Sequence, residues 1–215
     1  MQDSQMNQLK TGTTTVGLVC RDGIVIGADR RATAGYLVVD KRAQKVHIIN
    51  DSIALTIAGN VSDAQLLIKL FKAELKLKEI QTNRRVNMKE AANLLGGFLY
   101  SAIRQMSMMP AITHFLLAGV DNVGYHLYDL YPDGSVTEVT DYTSSGSGSV
   151  MAFGLLENLY RKDLNVEEGV KLIVKSINSA LQRDIATGNG VDVVTITKDG
   201  VKKAVEKELE AKLTL

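Results

Sequence analysis

The order of hydrophobic periodicities predicts an α+β fold. Short strand-like runs extend to residue 58, two long helical stretches follow, the chain returns to strands, and a second helical pair precedes a closing strand. The 18 glycines gather at run ends and junctions, and only 2 prolines interrupt the chain, as suits a fold of many tight turns. No short repeat period recurs, which argues against a solenoid.

Residues 14–20 alternate as a strand, Arg21-Asp22-Gly23 reads as a tight turn, and residues 24–29 form a second strand, so the region opens as a hairpin. Strand-like runs follow at 35–39, 45–49 and 53–58. From Ser62 the apolar residues Leu66, Leu67, Leu70, Phe71, Leu75 and Leu77 recur at near-helical spacing, with Ser62 and Gln65 placed for a capping box. A second helix starts at Asn87, capped with Glu90, and runs through Leu94, Leu95, Phe98, Leu99, Ile103 and Met106. Strands are expected at 112–120, 124–131 and 135–139, with Asp121-Asn122 and Pro132-Asp133-Gly134 as turns. Gly146-Ser147-Gly148-Ser149 leads into helices over 149–161 and 165–185, and 191–197 closes as a strand. Every helix stripe and sheet face needs a partner, so the helices are expected to cover the outer faces of packed sheets.

A chain of 215 residues is long enough for one substantial core. With 25 basic and 24 acidic residues, the net charge of +1 provides no field to attract nucleic acid or anionic lipid. The single cysteine, Cys20, has no partner for an internal disulfide. Residues 1–12 lack the apolar stretch of a secretory signal, and no run reaches the roughly 18–20 apolar residues of a membrane span, so a cytoplasmic location is expected.

The threonine run after Gly12 carries the first chemical signal. A threonine hydroxyl beside an ordinary peptide nitrogen has no base. If the chain is cut between Gly12 and Thr13, the freed α-amine of Thr13, with a reference pKa of about 7.7–8.0, lies next to its own hydroxyl, and one residue supplies nucleophile and base. Threonine runs also begin ordinary strands. Asp29 at the end of the second strand and Lys45 at the start of a later one suit a surface ion pair, and Gly59 suits a turn. His47, His114 and His126 lie on separate strand segments without metal-ligand spacing, which points to structural or surface roles. Met106, Met108 and Met109 precede Pro110 and suit gap filling in a core or a subunit contact.

Taken together, the Gly12-Thr13 junction, Asp29-Arg30-Arg31, Lys45, Thr56-Ile57-Ala58-Gly59, Ser62-Asp63-Ala64-Gln65, Gly146-Ser147-Gly148-Ser149 and Gln182-Arg183-Asp184 resemble the proteasome β-subunit family of the archaeal 20S type. That family is part of the N-terminal-nucleophile hydrolase superfamily. The resemblance runs from Thr13 to about Thr197. It implies a four-layer α-β-β-α sandwich of two antiparallel sheets between helix layers, with residues 1–12 as a propeptide and 13–215 as a single catalytic domain.

It also implies roles. Thr13 is the nucleophile, Lys45 favours its alkoxide, and Asp29 keeps Lys45 charged and oriented. The Gly59 N–H stabilises the oxyanion, while Ser147 and Asp184 act near the Thr13 amine and place a water. Thr187 stands where the family often carries serine, and a hydroxyl remains. Ala32, Ala43, Ile57 and Val61 correspond to the substrate pocket and favour bulky hydrophobic side chains, although Ile57 and Val61 also suit a core.

The implied activity is that of a threonine endopeptidase, a zymogen that removes its own propeptide and degrades unfolded proteins inside a barrel without metal or other cofactor. The implied partners are α-subunits, other β-subunits in seven-membered rings, a separate ATP-dependent unfoldase and unfolded polypeptides. Nucleic acid and membrane are not expected partners. Alternatives are a non-catalytic structural β-subunit, the simpler two-ring bacterial threonine protease, and a non-proteolytic amidase of the same superfamily.

Overall fold

The computed structural model describes residues 12–108 and 110–209; the proposed leader before Gly12, and Met109, lie outside them. In chain order the elements are β1 (Thr15–Cys20), β2 (Gly23–Asp29), β3 (Ala32–Ala34), β4 (Leu37–Asp40), β5 (Val46–Ile48), β6 (Ile53–Gly59), α1 (Val61–Thr82) and α2 (Met88–Ile103). They continue as β7 (Thr113–Val120), β8 (Tyr125–Leu130), β9 (Val136–Val139), β10 (Tyr142–Ser145), α3 (Ser149–Leu159), α4 (Val166–Leu181), β11 (Gly190–Thr197) and β12 (Gly200–Glu208). One five-stranded antiparallel sheet runs β10-β1-β2-β11-β12 and a second runs β5-β6-β7-β8-β9, with β3 and β4 as a separate hairpin.

Strand alternation builds the layers. On β7, Phe115 and Leu117 join the core under α1 and α2, whereas Leu116 and Ala118 join the core between the sheets. On β2, Val25 packs in the core with α3 and α4 residues, and Ile24, Ile26 and Ala28 face the opposite sheet. The three apolar clusters therefore lie helix-to-sheet, sheet-to-sheet and sheet-to-helix, which is the four-layer sandwich. Phe71 of α1 is wholly buried in the first cluster, and its truncation to alanine is of the kind that costs about 3–5 kcal/mol.

Several local expectations change. Residues 35–39 are not one strand: Gly35, at φ +61°, turns the chain between β3 and β4. The cap of α1 is Asn60, whose side chain accepts from the Ser62 N–H, rather than a Ser62–Gln65 box. In α1, Leu67, Phe71 and Leu75 are buried while Leu66, Leu70 and Leu77 are exposed, so the helix is apolar on two faces. At α2 the Asn87–Glu90 capping box is present, and the helix ends at Ile103, leaving Met106 outside it and exposed. β3, β10 and β12 add strands beyond those expected, and β3 is only three residues long. β10 and β12 carry polar or charged faces in which hydrophobic alternation is weak.

Candidate active site

The antiparallel register brings the chemistry to one end of the first sheet. Thr15 pairs with Ala28 of β2 on one side and Ser145 of β10 on the other, so Thr13 enters β1 between the end of β2, which bears Asp29, and the Gly146-Ser147 turn that follows β10. The Asp29 N–H donates to the Thr14 carbonyl at 3.2 Å and closes this arrangement. Lys45 immediately precedes β5, and its carbonyl accepts from the Ile57 N–H at 2.9 Å, which anchors it against β6.

Thr13, Asp29 and Lys45 are all buried. Lys45 Nζ donates to Asp29 Oδ1 at 2.8 Å. The same oxygen accepts from the Thr14 N–H at 3.0 Å, and Oδ2 accepts from the Arg31 and Gly188 N–H groups at 3.0 and 2.9 Å. A buried carboxylate is tolerable only when its lone pairs are taken, and here a cation and backbone donors take them. Burial pushes the Lys45 ammonium below the ordinary lysine value, and the Asp29 charge pulls it back up.

The Gly12–Thr13 peptide bond lies within this charge system. Thr13 Oγ1 donates to the Gly12 carbonyl oxygen at 2.7 Å, and Lys45 Nζ donates to that same oxygen at 3.4 Å. On the other side the Thr13 N–H donates to Ser147 Oγ at 3.3 Å, and the Ser147 hydroxyl donates to Asp184 Oδ2 at 2.6 Å. Thr187 Oγ1 also donates to Asp184 Oδ2 and lies 2.7 Å from Thr14 Oγ1, completing a chain of hydroxyls. Thus the carbonyl end of this peptide bond meets an ammonium, and its nitrogen meets a hydroxyl backed by a carboxylate.

Two glycines make room for it. A Cβ on Gly12 would lie 1.8 Å from Ala186 Cβ and 2.7 Å from Ser147 Oγ, so only glycine fits before Thr13. Gly146 has φ +89°, and a Cβ there would meet the Thr13 carbonyl oxygen at 2.1 Å.

Asp184 lies in the turn after α4, which ends at Leu181, instead of within the helix. Gly59 ends β6 at φ +112°, and among the described residues no hydrogen bond joins it to Thr13. Ala32 is half-buried on β3, and Ala43, also half-buried, donates its N–H to the Arg30 carbonyl at 2.9 Å. Ile57 belongs to the core cluster under α1 and α2, whereas Val61 starts α1 and is exposed. His114 contacts Asp129, and His126 lies between Asp121 and Glu138. Among the described residues no group of three or more His, Cys, Asp and Glu side chains is arranged to hold a metal ion. The buried Cys20 thiol is pushed up to about 12, chiefly by burial, and is unsuited to act as a nucleophile.

Two participants carried no role in the sequence reading. Arg31 donates from Nε to Asn189 Oδ1 at 2.8 Å and from Nη1 to the Ile185 carbonyl at 2.7 Å. Its guanidinium lies so close over Gly188 that a Cβ there would clash at 2.2 Å. The side chain therefore clamps the turn bearing Asp184 and Thr187 while its own N–H holds Asp29. In the sequence it stood only as the last residue of the Asp29-Arg30-Arg31 motif, with no role of its own. Thr33, buried on β3, accepts from the Gly12 N–H through Oγ1 at 3.3 Å, and nothing in its surrounding sequence distinguished it.

A profile of the family described as "Proteasome subunit" matches residues 9–196. A protein named "Proteasome subunit beta" from Methanocaldococcus jannaschii is 44% identical over 200 residues, covering 93% of this chain and 88% of that protein. Proteins of the same name from Ferroglobus placidus and Methanococcus maripaludis are 43% and 42% identical over 200 residues. These alignments cover 93% of this chain in both cases, and 93% and 90% of the respective proteins.

Proposed function

This chain belongs to the proteasome subunit family, and on that premise we propose that it is a catalytically active β-subunit of a 20S core particle, a threonine endopeptidase that exposes its own nucleophile. The observation that carries the reading is the Gly12 carbonyl oxygen, which accepts from both the Thr13 hydroxyl and the Lys45 ammonium. An ammonium on a carbonyl oxygen draws electron density from the carbonyl carbon and stabilises the oxyanion that forms on attack.

In the self-cleavage step, Thr13 Oγ adds to the Gly12 carbon and the Gly12–Thr13 C–N bond breaks. The hydroxyl proton ends on the departing nitrogen, whose N–H donates to Ser147 Oγ before cleavage. The product is an ester at Thr13 Oγ with a free α-amine. Water opens the ester, giving a Gly12 carboxylic acid and restoring the Thr13 hydroxyl. The amine then serves as base for that hydroxyl in each later turnover: Oγ attacks a substrate carbonyl, the new amine end leaves with a proton, and water hydrolyses the acyl-enzyme. Lys45 is the charged partner of the oxygen, Asp29 fixes Lys45, and the Gly59 N–H is assigned to the substrate oxyanion. Neither metal nor nucleotide has a role in these steps.

Residues 1–12 are thus a propeptide, and 13–215 the working domain. The further reading is that the chain forms seven-membered β-rings with α-subunits in the cytoplasm, receives unfolded polypeptides from a separate ATP-dependent unfoldase, and cleaves after large hydrophobic residues through Ala32, Ala43, Ile57 and Val61. Assays of assembled particles with aromatic, acidic and basic fluorogenic peptides test it. The expected result is turnover favouring the aromatic peptide and absent in Thr13→Ala. Turnover retained by Thr13→Ala removes the nucleophile assignment, and equal rates on all three peptides remove the pocket assignment.

A further inference from the structure

Three threonines lead into β1, and the reaction uses only the hydroxyl of the first. Thr14 is wholly buried, and a buried hydroxyl is costly unless it is bonded. Strand alternation sends Thr14 and Thr15 to opposite faces. The Thr15 hydroxyl meets Ser145 Oγ at 2.7 Å on the strand beside it, whereas the Thr14 hydroxyl meets Thr187 Oγ1 at 2.7 Å in the turn that bears Asp184.

The protons available set the direction of these bonds. A hydroxyl has one proton to give and can accept as well. Thr187 gives its proton to Asp184 Oδ2, so it accepts in its contact with Thr14, and Thr14 is the donor. Ser147 gives its proton to the same carboxylate oxygen at 2.6 Å, so it accepts from the Thr13 nitrogen. The network is ordered from both ends toward Asp184. After cleavage, a Ser147 that accepts takes an N–H of the amine and leaves the nitrogen lone pair for the Thr13 hydroxyl.

Thr14 also joins the two charged groups of the site. Its N–H donates to Asp29 Oδ1 at 3.0 Å, its carbonyl accepts from the Asp29 N–H at 3.2 Å, and its hydroxyl reaches Asp184 through Thr187. Gly148 leaves room for the hydroxyl pair, since a Cβ there would lie 1.9 Å from Thr14 Oγ1 and 3.0 Å from Thr187 Oγ1.

We propose that Thr14 is a positioning residue for the reaction at Thr13: its hydroxyl holds the Thr187 hydroxyl on Asp184, and Asp184 in turn holds Ser147 as an acceptor for the Thr13 nitrogen. The effect on turnover rests on the proteolytic reading, and the bond to Thr187 does not.

The test compares assembled particles of wild type, Thr14→Val, Thr14→Ser, Thr187→Val and the double variant Thr14→Val with Thr187→Val. Thr15→Val is the control for losing a buried hydroxyl from the same threonine run. The kcat and KM for a fluorogenic peptide are measured, and three-bond couplings of the Thr187 γ-methyl carbon report its χ1 rotamer wherever that residue is kept. Thr14→Val is expected to lower kcat about tenfold, the scale of one hydrogen bond, with KM within about twofold; Thr14→Ser restores kcat, and Thr15→Val leaves it within about twofold. The double variant is expected to match Thr187→Val, because the two hydroxyls act in one chain. Thr187 is expected to keep one rotamer in wild type and Thr14→Ser and to average in Thr14→Val. An unchanged rotamer in Thr14→Val overturns the proposal whether or not the chain is a peptidase. Equal losses in Thr14→Val and Thr15→Val, or losses that multiply in the double variant, overturn it as well. Inactive wild-type particles in which Thr14→Val still frees the Thr187 rotamer would overturn the proteolytic reading while upholding the bond.

Discussion

Two ion pairs in this molecule each join a carboxylate to a cation and to backbone donors, in opposite surroundings. At the site, Asp29 accepts from Lys45 and from backbone N–H groups. At the start of α2, Glu90 accepts from Arg84 at 2.6 and 2.9 Å and from the Asn87 N–H at 3.2 Å. The side chains of the first pair are 6% and 0% exposed, and those of the second 51% and 26%. Water shares the work at Glu90, so the pair there is a local reinforcement of a helix end. At Asp29 burial removes that sharing, and among the described residues each partner is the other's only charge compensation in direct contact. The pair that contributes modestly to stability is therefore the easy one to lose, and the pair to which we assign chemistry is held by the fold on every side.

The comparison predicts its own ranking of effects. Lys45→Ala is expected to abolish both hydrolysis of a fluorogenic peptide and leader removal while the chain still folds, since Asp29 keeps its backbone donors; normal turnover would break the assignment. Asp29→Asn leaves the buried ammonium without a counter-charge. Its denaturant midpoint is expected to fall by the equivalent of about 3–5 kcal/mol, the usual cost of breaking a buried pair. A loss below about 1 kcal/mol would show that the site is wetter than the geometry implies.

Arg31→Ala is expected to loosen the turn at 184–189, seen as faster amide exchange there, with a smaller stability loss of roughly 1.5–3 kcal/mol for the charged hydrogen bonds removed. Unchanged exchange would leave Arg31 without its clamping role. Glu90→Gln is expected to cost only about 1 kcal/mol, through the weakened pair with Arg84 and the cap. The Glu90 carboxyl is held down to about 2, chiefly by the Arg84 hydrogen bond, from its ordinary 4.5. Because the folded value is the depressed one, this stabilisation is present above 4.5 and fades as pH falls toward 2. The gap between wild type and Glu90→Gln should therefore close over that interval, and a constant gap would contradict it.

The same contrast explains what the sequence revealed. The α2 cap was legible because Asn87 and Glu90 lie three residues apart, and helical geometry alone brings them together. The layering was legible as α+β from its periodicities, and as a four-layer sandwich through the family motifs. Asp29 and Lys45 meet across 16 residues, and Thr13 meets Ser147 across 134, distances that no local pattern encodes. Only the joint motif pattern named those residues. Arg31 and Thr33 stayed hidden because clamping a turn and accepting from the Gly12 N–H depend on strand register. β12 was missed because an edge strand with charged faces has little apolar alternation to announce it.

The central claim is that Thr13 opens its own peptide bond to Gly12, and intact subunit masses of assembled wild-type and Thr13→Ala particles test it most directly. Wild-type subunits are predicted to have lost residues 1–12 and to begin at Thr13, while Thr13→Ala subunits, purified with no other active subunit or protease present, keep them. Active wild-type particles retaining Met1, or Thr13→Ala particles trimmed at the same bond, would contradict the account.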